Sequence, residues 1–540
     1  MITILGSKKY ERSMNNAETY EEWLEAATNH DKATGAHRWR VMDQTRRYDY
    51  VSIRIRLDRL RAMRARHDNR GLLFTLNEGI HGNMAGMGHP RLYTKAKSGT
   101  KTLIVDYVEE IVDSLRYLAS QTVTDISFEE KIEFFRRAQH CFGCSALMLS
   151  GSGSLAYFHM GVVKTLLAHD LLPDIVSGSS GGSMVGAFIA TQNISDVETM
   201  FDPENIAEAF GANDFNRDQT QNLRADDLYD ALEKLVPDLT FEEAFDLTGR
   251  KLNVSVAPLE TMQTSRLLNA ITSPNVYIRE AVMASCAIPG IFPPVTLSAK
   301  NDHGERQAYL PSRQWVDGSV SDDLPAKRLA RLYGANHYIV SQTNPHVLPF
   351  LSGERSDAGP LRQMARASME TLRTWMNASA EIARKPIARS QMLSRLSGLA
   401  LSIINQEYQG DITILPAQRF MNPLKLLKLR EPEDVQRLMR MGERSTWPKL
   451  EMIRTQTEIG AALGEILNEF EEEVLDTANE IARQSAGYLF VGGSLYARID
   501  LCARAPSPGQ RLRCSVIHFI GNPHYRGHQI RIAFQIRNSQ

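Results

Sequence analysis

The sequence predicts an α/β protein, a three-layer α/β/α unit with a mainly parallel sheet, extended by N-terminal and C-terminal helical regions. Between about residues 143 and 345, short apolar runs alternate with helical spacings, as a parallel sheet with helices on both faces requires. Two of those runs end in Gly/Ser turns that open directly onto helical patterns, at Ser150–Ser154 and Ser177–Ser183. Residues 1 to about 140, and 346 to 485, read as helical almost throughout, the second region with one strand at Asp411–Leu415.

Within the N-terminal region, Arg38 to Arg70 holds eleven arginines against four aspartates on a helical pattern containing Val51, Ile55 and Leu60. Such a helix could meet anionic headgroups, or could be the solvated face of a helical bundle laced by salt bridges. Next, Ser145–Leu149 reads as a buried strand, Gly151, Ser152 and Gly153 form a turn, and Leu155, Phe158, Val162, Leu166 and Leu167 mark one helix face. Backbone N–H groups of a glycine-rich turn at a helix start converge on one centre and can bind an oxyanion. A nucleotide loop fits poorly, because Ser150-Gly-Ser-Gly-Ser lacks the G-K-[ST] ending and Ala156 stands where G-x-G-x-x-G needs glycine.

Leu171–Val176 gives the second strand and Met184, Ala187, Phe188 and Thr191 the helix after it. Between them Gly178, Ser180 and Gly182 form G-x-S-x-G. A strand turning sharply into a helix crowds the turn, flanking glycines relieve the crowding, and the serine hydroxyl stays exposed at a helix N-terminus. Ser180 is therefore the candidate nucleophile. Downstream, Gln314–Val320 reads as a strand ending in Asp317-Gly318, whose carboxylate could act as general base to Ser180. His337 and His346 also follow Asp317 in the chain order of a Ser, acid, His triad, although His337 opens an apolar strand (HYIVSQ) and His346 follows Asn-Pro in a turn. His169 and Asp174 fit H-x4-D, a pattern invoked for acyltransferases, but they close a helix and open a strand.

The ordered motifs SGSGSLAYFH (150–159), GSSGG (178–182) and VDGS (316–319) together resemble the patatin-like phospholipases. MASCAIPGIFPP (283–294), NHYIVSQTNPH (336–346), YQGDITI (408–414) and GERSTWP (442–448) are similar to segments of the branch containing fungal and plant triacylglycerol lipases. YEEWLEA (20–26) and GTKTLIVDY (99–107) resemble the helical region, of DUF3336 type, that precedes the patatin domain there. The resemblance spans roughly residues 15 to 485. It implies a lipid acyl hydrolase with a Ser/Asp dyad and no histidine: Ser180 as nucleophile, Asp317 as proton acceptor beside Gly318, and Gly151, Ser152 and Gly153 as oxyanion turn. Relatives carry a glycine-richer turn; Ser152 still donates its N–H provided that position does not need positive φ. The resemblance further implies a glycerolipid or phospholipid substrate, peripheral contact with a membrane or lipid-droplet surface, and no cofactor. Transacylation from the Ser180 acyl-enzyme, or a lipid-surface scaffold without catalysis, are the competing functions.

Composition sets outer bounds. With 540 residues, a formal charge of −1 and 43% hydrophobic residues, neither a disordered chain nor a bulk nucleic-acid binder is indicated. Five cysteines (141, 144, 286, 502, 514) make no disulfide framework, and Cys141-x-x-Cys144 has no mate at zinc-finger spacing, so no metal is expected. No signal-peptide pattern and no 18-residue uncharged apolar run occurs, so an intracellular protein is expected, cytoplasmic or peripheral to a membrane. The expected parts are 1–140, helical; 143–345, catalytic; 346–485, a helical extension from the Ser352–Pro360 loop to the acidic helix Glu465–Glu480; and 487–540, a poorly ordered basic tail. That tail carries seven arginines against the single acid Asp500 from residue 498 on, and one strand-like run, Cys514–Ile520. Within the helical extension, Met392–Ile404 is an apolar stretch too short to span a bilayer, suited to core, pocket lining or an interfacial lid.

Overall fold

Strands buried on both faces read as apolar runs, and here they pair in the parallel manner such runs permit. The computed structural model describes residues 2–80, 84–193, 201–210, 224–260, 264–344, 410–417 and 431–485, and short strands between Leu489 and Cys514. Its strands are β1 (Cys144–Leu149), β2 (Ile175–Gly178), β3 (Lys251–Pro258), β4 (Arg266–Asn269), β5 (Ser298–Lys300), β6 (Arg306–Ala308), β7 (Trp315–Asp317), β8 (Ala335–Ser341) and β9 (Ile412–Ile414). A seven-stranded sheet runs β4-β3-β2-β1-β8-β9, with β7 also on β3. β1 pairs in parallel with β2 and β8, β2 with β3, and β8 with β9; within this sheet, β4 and β7 run antiparallel, both against β3, and β5 and β6 form a separate antiparallel pair.

Among the described residues, seven α-helices precede the sheet: α1 (Ile2–Asn16), α2 (Tyr20–Thr34), α3 (Ala36–Val41), α4 (Tyr50–Ala65), α5 (Asn69–Gly79), α6 (Thr102–Ala119) and α7 (Phe128–Phe142). Their ends are written in the chain. Thr19, Asp49 and Asp68 cap α2, α4 and α5, and Ser127 with Glu130 forms a capping box on α7. Gly35, at φ 76°, closes α2.

The remaining helices are α8 (Ala156–Ala168), α9 (Gly181–Ala190), α10 (Pro203–Ala209), α11 (Ala225–Leu235), α12 (Phe241–Thr248), α13 (Ile278–Cys286), α14 (Ser319–Asp322), α15 (Ala326–Tyr333), α16 (Pro432–Thr446) and α17 (Leu450–Ser485). α8 and α16 cross so closely that a side chain at Gly161 would strike the Met439 carbonyl, and one at Gly442 the Phe158 carbonyl. This gives the GERSTWP segment a packing role. α17 lies against α6 and α7, and Arg444 donates to the carbonyls of Asn15 (3.1 Å) and Ala17 (2.6 Å). One buried apolar cluster accordingly runs from Trp23, Leu57 and Ile111 through Phe134 to Val185, Ile412 and Ile453.

Several boundaries differ from expectation for local reasons. β2 starts at Ile175 rather than Leu171, because Leu171 N–H donates back to the Leu166 carbonyl (2.8 Å) to close α8 and Pro173 has no N–H for a ladder. β7 ends at Asp317 and α14 begins two residues on, so Gln314–Val320 is a strand only in its middle. The acidic run Glu465–Glu480 is the second half of α17. In the tail, Leu489–Val491 pairs with Ser494–Tyr496, and Leu501–Arg504 with Arg511–Cys514, whose RLRC alternation suits a strand. His346, Ser352–Pro360, Met392–Ile404 and the run beyond Cys514 lie outside the described residues.

In α4 the buried stripe is Ile53, Leu57 and Leu60, whereas Val51 and Ile55 are 49% and 61% exposed. Arg54 pairs with Asp43, Arg61 and Arg64 reach Glu110 on α6, and Arg70 reaches Glu130 on α7. Salt bridges of a helical bundle thus occupy several of these arginines. Among the described residues, no helix is long and apolar enough to cross a membrane.

Candidate active site

Gly178 ends β2, and two residues later Ser180 takes φ 51° and ψ −126° before α9 begins. That conformation is costly for a residue with a side chain and persists only where neighbours over-determine it. Here Ser180 N–H donates to Ser285 Oγ (2.9 Å), Ser285 Oγ donates to the Ser255 carbonyl (2.8 Å), and Ser183 Oγ donates to the Ser180 carbonyl (2.6 Å). Both flanking glycines are sterically required: a Cβ on Gly178 would strike the backbone of Gly182, and one on Gly182 the carbonyls of Leu149 and Ser150.

Topology brings the acid to this elbow. β2 pairs with β3 as far as Val254, and β7 takes up the β3 ladder at Val256–Pro258, so Asp317 arrives just past the end of β2. Asp317 is buried; its Oδ1 accepts the Ser319 N–H at 2.7 Å, and the Ser180 side chain lies beside its carboxylate. Burial pushes its pKa up to about 6, against the pull of its polar neighbours. Gly318 passes so close to Ser255 and Val256 that no side chain fits there. Asp317 N–H donates to the Ala287 carbonyl (3.0 Å), and the Cys286 thiol sits beside Ser180 and Ser183. Burial and the Asp317 charge push that thiol up, which keeps it protonated and a poor rival nucleophile.

The first Gly/Ser turn abuts the elbow: a Cβ on Gly181 would meet Ser152 Oγ and the Gly153 carbonyl. Its three amides differ. Gly151 N–H donates to Asp323 Oδ1 at 2.7 Å, whereas those of Ser152 and Gly153 have no acceptor among the described residues. Ser152 sits at φ −142°, an ordinary value, and the positive φ of 52° falls on Gly153. Serine at position 152 therefore needs no positive φ. Behind the turn, buried His159 bonds Ser150 O (3.0 Å) and Ser341 Oγ (2.6 Å); burial lowers its pKa to about 4 and keeps it neutral.

The downstream histidine lies elsewhere. His337 stands opposite Ser145 near the start of the parallel ladder, held between Ser145 Oγ (3.1 Å) and Gln456 Oε1 (2.9 Å). Ser145 is four residues back from Leu149, which pairs with Gly178, so about 13 Å of strand separates it from the elbow. His169 packs edge-on against Tyr20 of α2 at 4.6 Å. Cys141 and Cys144 are free thiols. The site also contains residues that motif spacing did not single out, namely Ser285, Ser255, Asp323 and Asn344. Ser285 and Cys286 do lie within the quoted segment 283–294, but only the tertiary fold shows that they touch Ser180.

Comparison with known proteins finds two matching families. Residues 5–140 match a family described as a domain of unknown function, DUF3336, and residues 147–330 match one described as patatin-like phospholipase. A triacylglycerol lipase of Arabidopsis thaliana, SDP1L, is 34% identical over 85% of this chain and 58% of its own length. The triacylglycerol lipase ptl3 of Schizosaccharomyces pombe is 33% identical over 83% of this chain and 94% of its own. The chain thus spans little more than half of the plant relative and nearly all of the yeast one. Among solved structures, VipD from Legionella pneumophila aligns with a TM-score of 0.31 and 14% identity over 58% of this chain and 67% of its own, a likeness on which nothing here rests. With a patatin match over the sheet that carries Ser180 and Asp317, and a 33% identical relative covered almost end to end, this chain belongs to the patatin-like phospholipase family.

Proposed function

We propose that this chain hydrolyses fatty-acyl esters of glycerolipids, of the triacylglycerol or phospholipid kind, through a Ser180/Asp317 dyad and an acyl-enzyme. The observation that carries it is the buried Asp317 carboxylate beside a serine held in a strained elbow. Asp317 takes the proton as Ser180 Oγ attacks the ester carbonyl, and the turn Gly151–Gly153 stabilises the oxyanion through the N–H groups of Ser152 and Gly153. Collapse expels the alcohol, which leaves with the proton from Asp317. Water then repeats the sequence on the acyl-enzyme and releases the fatty acid. No cofactor enters these steps. The names of the plant and yeast relatives support an acylglycerol substrate. For contact with a membrane or lipid droplet, the support is the exposed set Val41, Met42, Val51 and Ile55 among the arginines of α3 and α4.

The test is fatty-acid release from a panel of triacylglycerol, diacylglycerol, phospholipid and lysophospholipid. Ser180→Ala and Asp317→Ala are expected to lose about three orders of magnitude or more, and His337→Ala to stay within about threefold of wild type. Substantial activity in the Asp317 variant would refute the dyad.

A further inference from the structure

We propose that Asp323 is a positioning residue whose carboxylate fixes the oxyanion turn against the nucleophile elbow. It stands at the end of α14, six residues after Asp317, and is fully buried. Oδ1 accepts the Gly151 N–H at 2.7 Å from the turn after β1, Oδ2 accepts Asn344 Nδ2 at 3.2 Å from the segment after β8, and its main-chain carbonyl accepts the Ser179 hydroxyl at 3.3 Å. One residue therefore ties three strand ends together around Ser180. By consuming the Gly151 amide it orients the turn, so that the next two amides, rather than the first, face the reacting carbonyl. The carboxylate acts through the backbone it holds.

An ionised acceptor holds an N–H more firmly than a neutral one. The charged groups facing Asp323 are Asp317 and Asp322, both acidic; His159, behind the turn, is neutral. Burial first, then those two carboxylates, push Asp323 up to about 7, so its grip strengthens as pH rises through neutrality. This inference rests on the acyl-transfer mechanism above.

The experiment measures kcat and KM of the full chain for p-nitrophenyl butyrate from pH 5 to 9. Asp323→Ala frees the turn and is expected to lower kcat about 100-fold with KM within about threefold, the cost of a lost oxyanion donor. Asp323→Asn keeps an acceptor for Gly151 but turns an NH2 toward Asn344, so it is expected to restore kcat to within about tenfold of wild type, while abolishing the inflection expected near pH 7 in wild type above the one near pH 6. Asn344→Ala removes one anchor only and is expected to lower kcat roughly threefold to tenfold, which tests the idea even where Asp323→Ala does not fold. The idea is overturned by wild-type kcat in Asp323→Ala or Asn344→Ala, or by equal losses in both Asp323 variants with an unchanged pH profile. Activity surviving in Ser180→Ala would instead overturn the acyl-transfer mechanism, so the two failures are distinguishable.

Discussion

Burial of Asp317 acts in opposite directions on chemistry and on stability. In the proposed dyad its carboxylate is the base, present above a pKa of about 6, so kcat/KM is expected to fall tenfold per pH unit as pH drops below about 6. For stability the sign reverses. A carboxyl whose folded-state pKa is raised binds its proton more tightly in the folded chain, so its contribution is fully present below the ordinary carboxylate value near 4 and is lost as pH rises through about 6. Asp317→Asn, which keeps an acceptor for Ser319 N–H but never ionises, is therefore expected to be inactive yet more stable than wild type at pH 8, by about 1–3 kcal/mol, with the gap closing at pH 4. Thermal melts of both proteins at the two pH values check this; equal melting at pH 8 would contradict it.

At the scale of elements, the elbow is a local structure braced from a distance. Gly182→Ala forces a Cβ onto two carbonyls at the end of β1, and a loss of about 1–3 kcal/mol or more is expected, together with activity. Ser285→Ala leaves the buried Ser180 N–H without its acceptor, at a cost of about 1–3 kcal/mol and an expected loss of roughly tenfold or more in kcat, measured by denaturant titration and ester hydrolysis. The contrast between these residues marks what a sequence can tell. Gly178, Ser180 and Gly182 are legible because the steric demand of a strand-to-helix turn acts between neighbours in the chain. Ser285 and Asp323 are not, because their partners lie 105 and 172 residues away and meet them only once β7 has docked on β3 past the end of β2. Strand limits blur for the same reason. Leu171 and Leu172 are apolar enough for a strand, but the helix-closing bond to Leu166 and the missing N–H of Pro173 keep Leu171–Asp174 out of the ladder.

Across the whole molecule, the N-terminal helices and the sheet share one apolar core, joined through α17 and through Arg444 gripping carbonyls at the end of α1. Removing residues 1–140 would strip that core, and the truncated chain is expected to bind an environment-sensitive dye and to aggregate, whereas a well-folded fragment would contradict the shared core. The outer face of α3 and α4 is the surface on which lipid contact is expected. Ile55→Asp should weaken sedimentation with anionic vesicles severalfold and leave hydrolysis of a soluble ester unchanged. The most direct measurement of the central claim is mass spectrometry of the chain after reaction with a fluorophosphonate. A single adduct on Ser180, absent in Ser180→Ala and formed at least tenfold more slowly in Asp317→Asn, is the predicted result. An adduct on another residue, or full-rate labelling of Ser180 without Asp317, would contradict it.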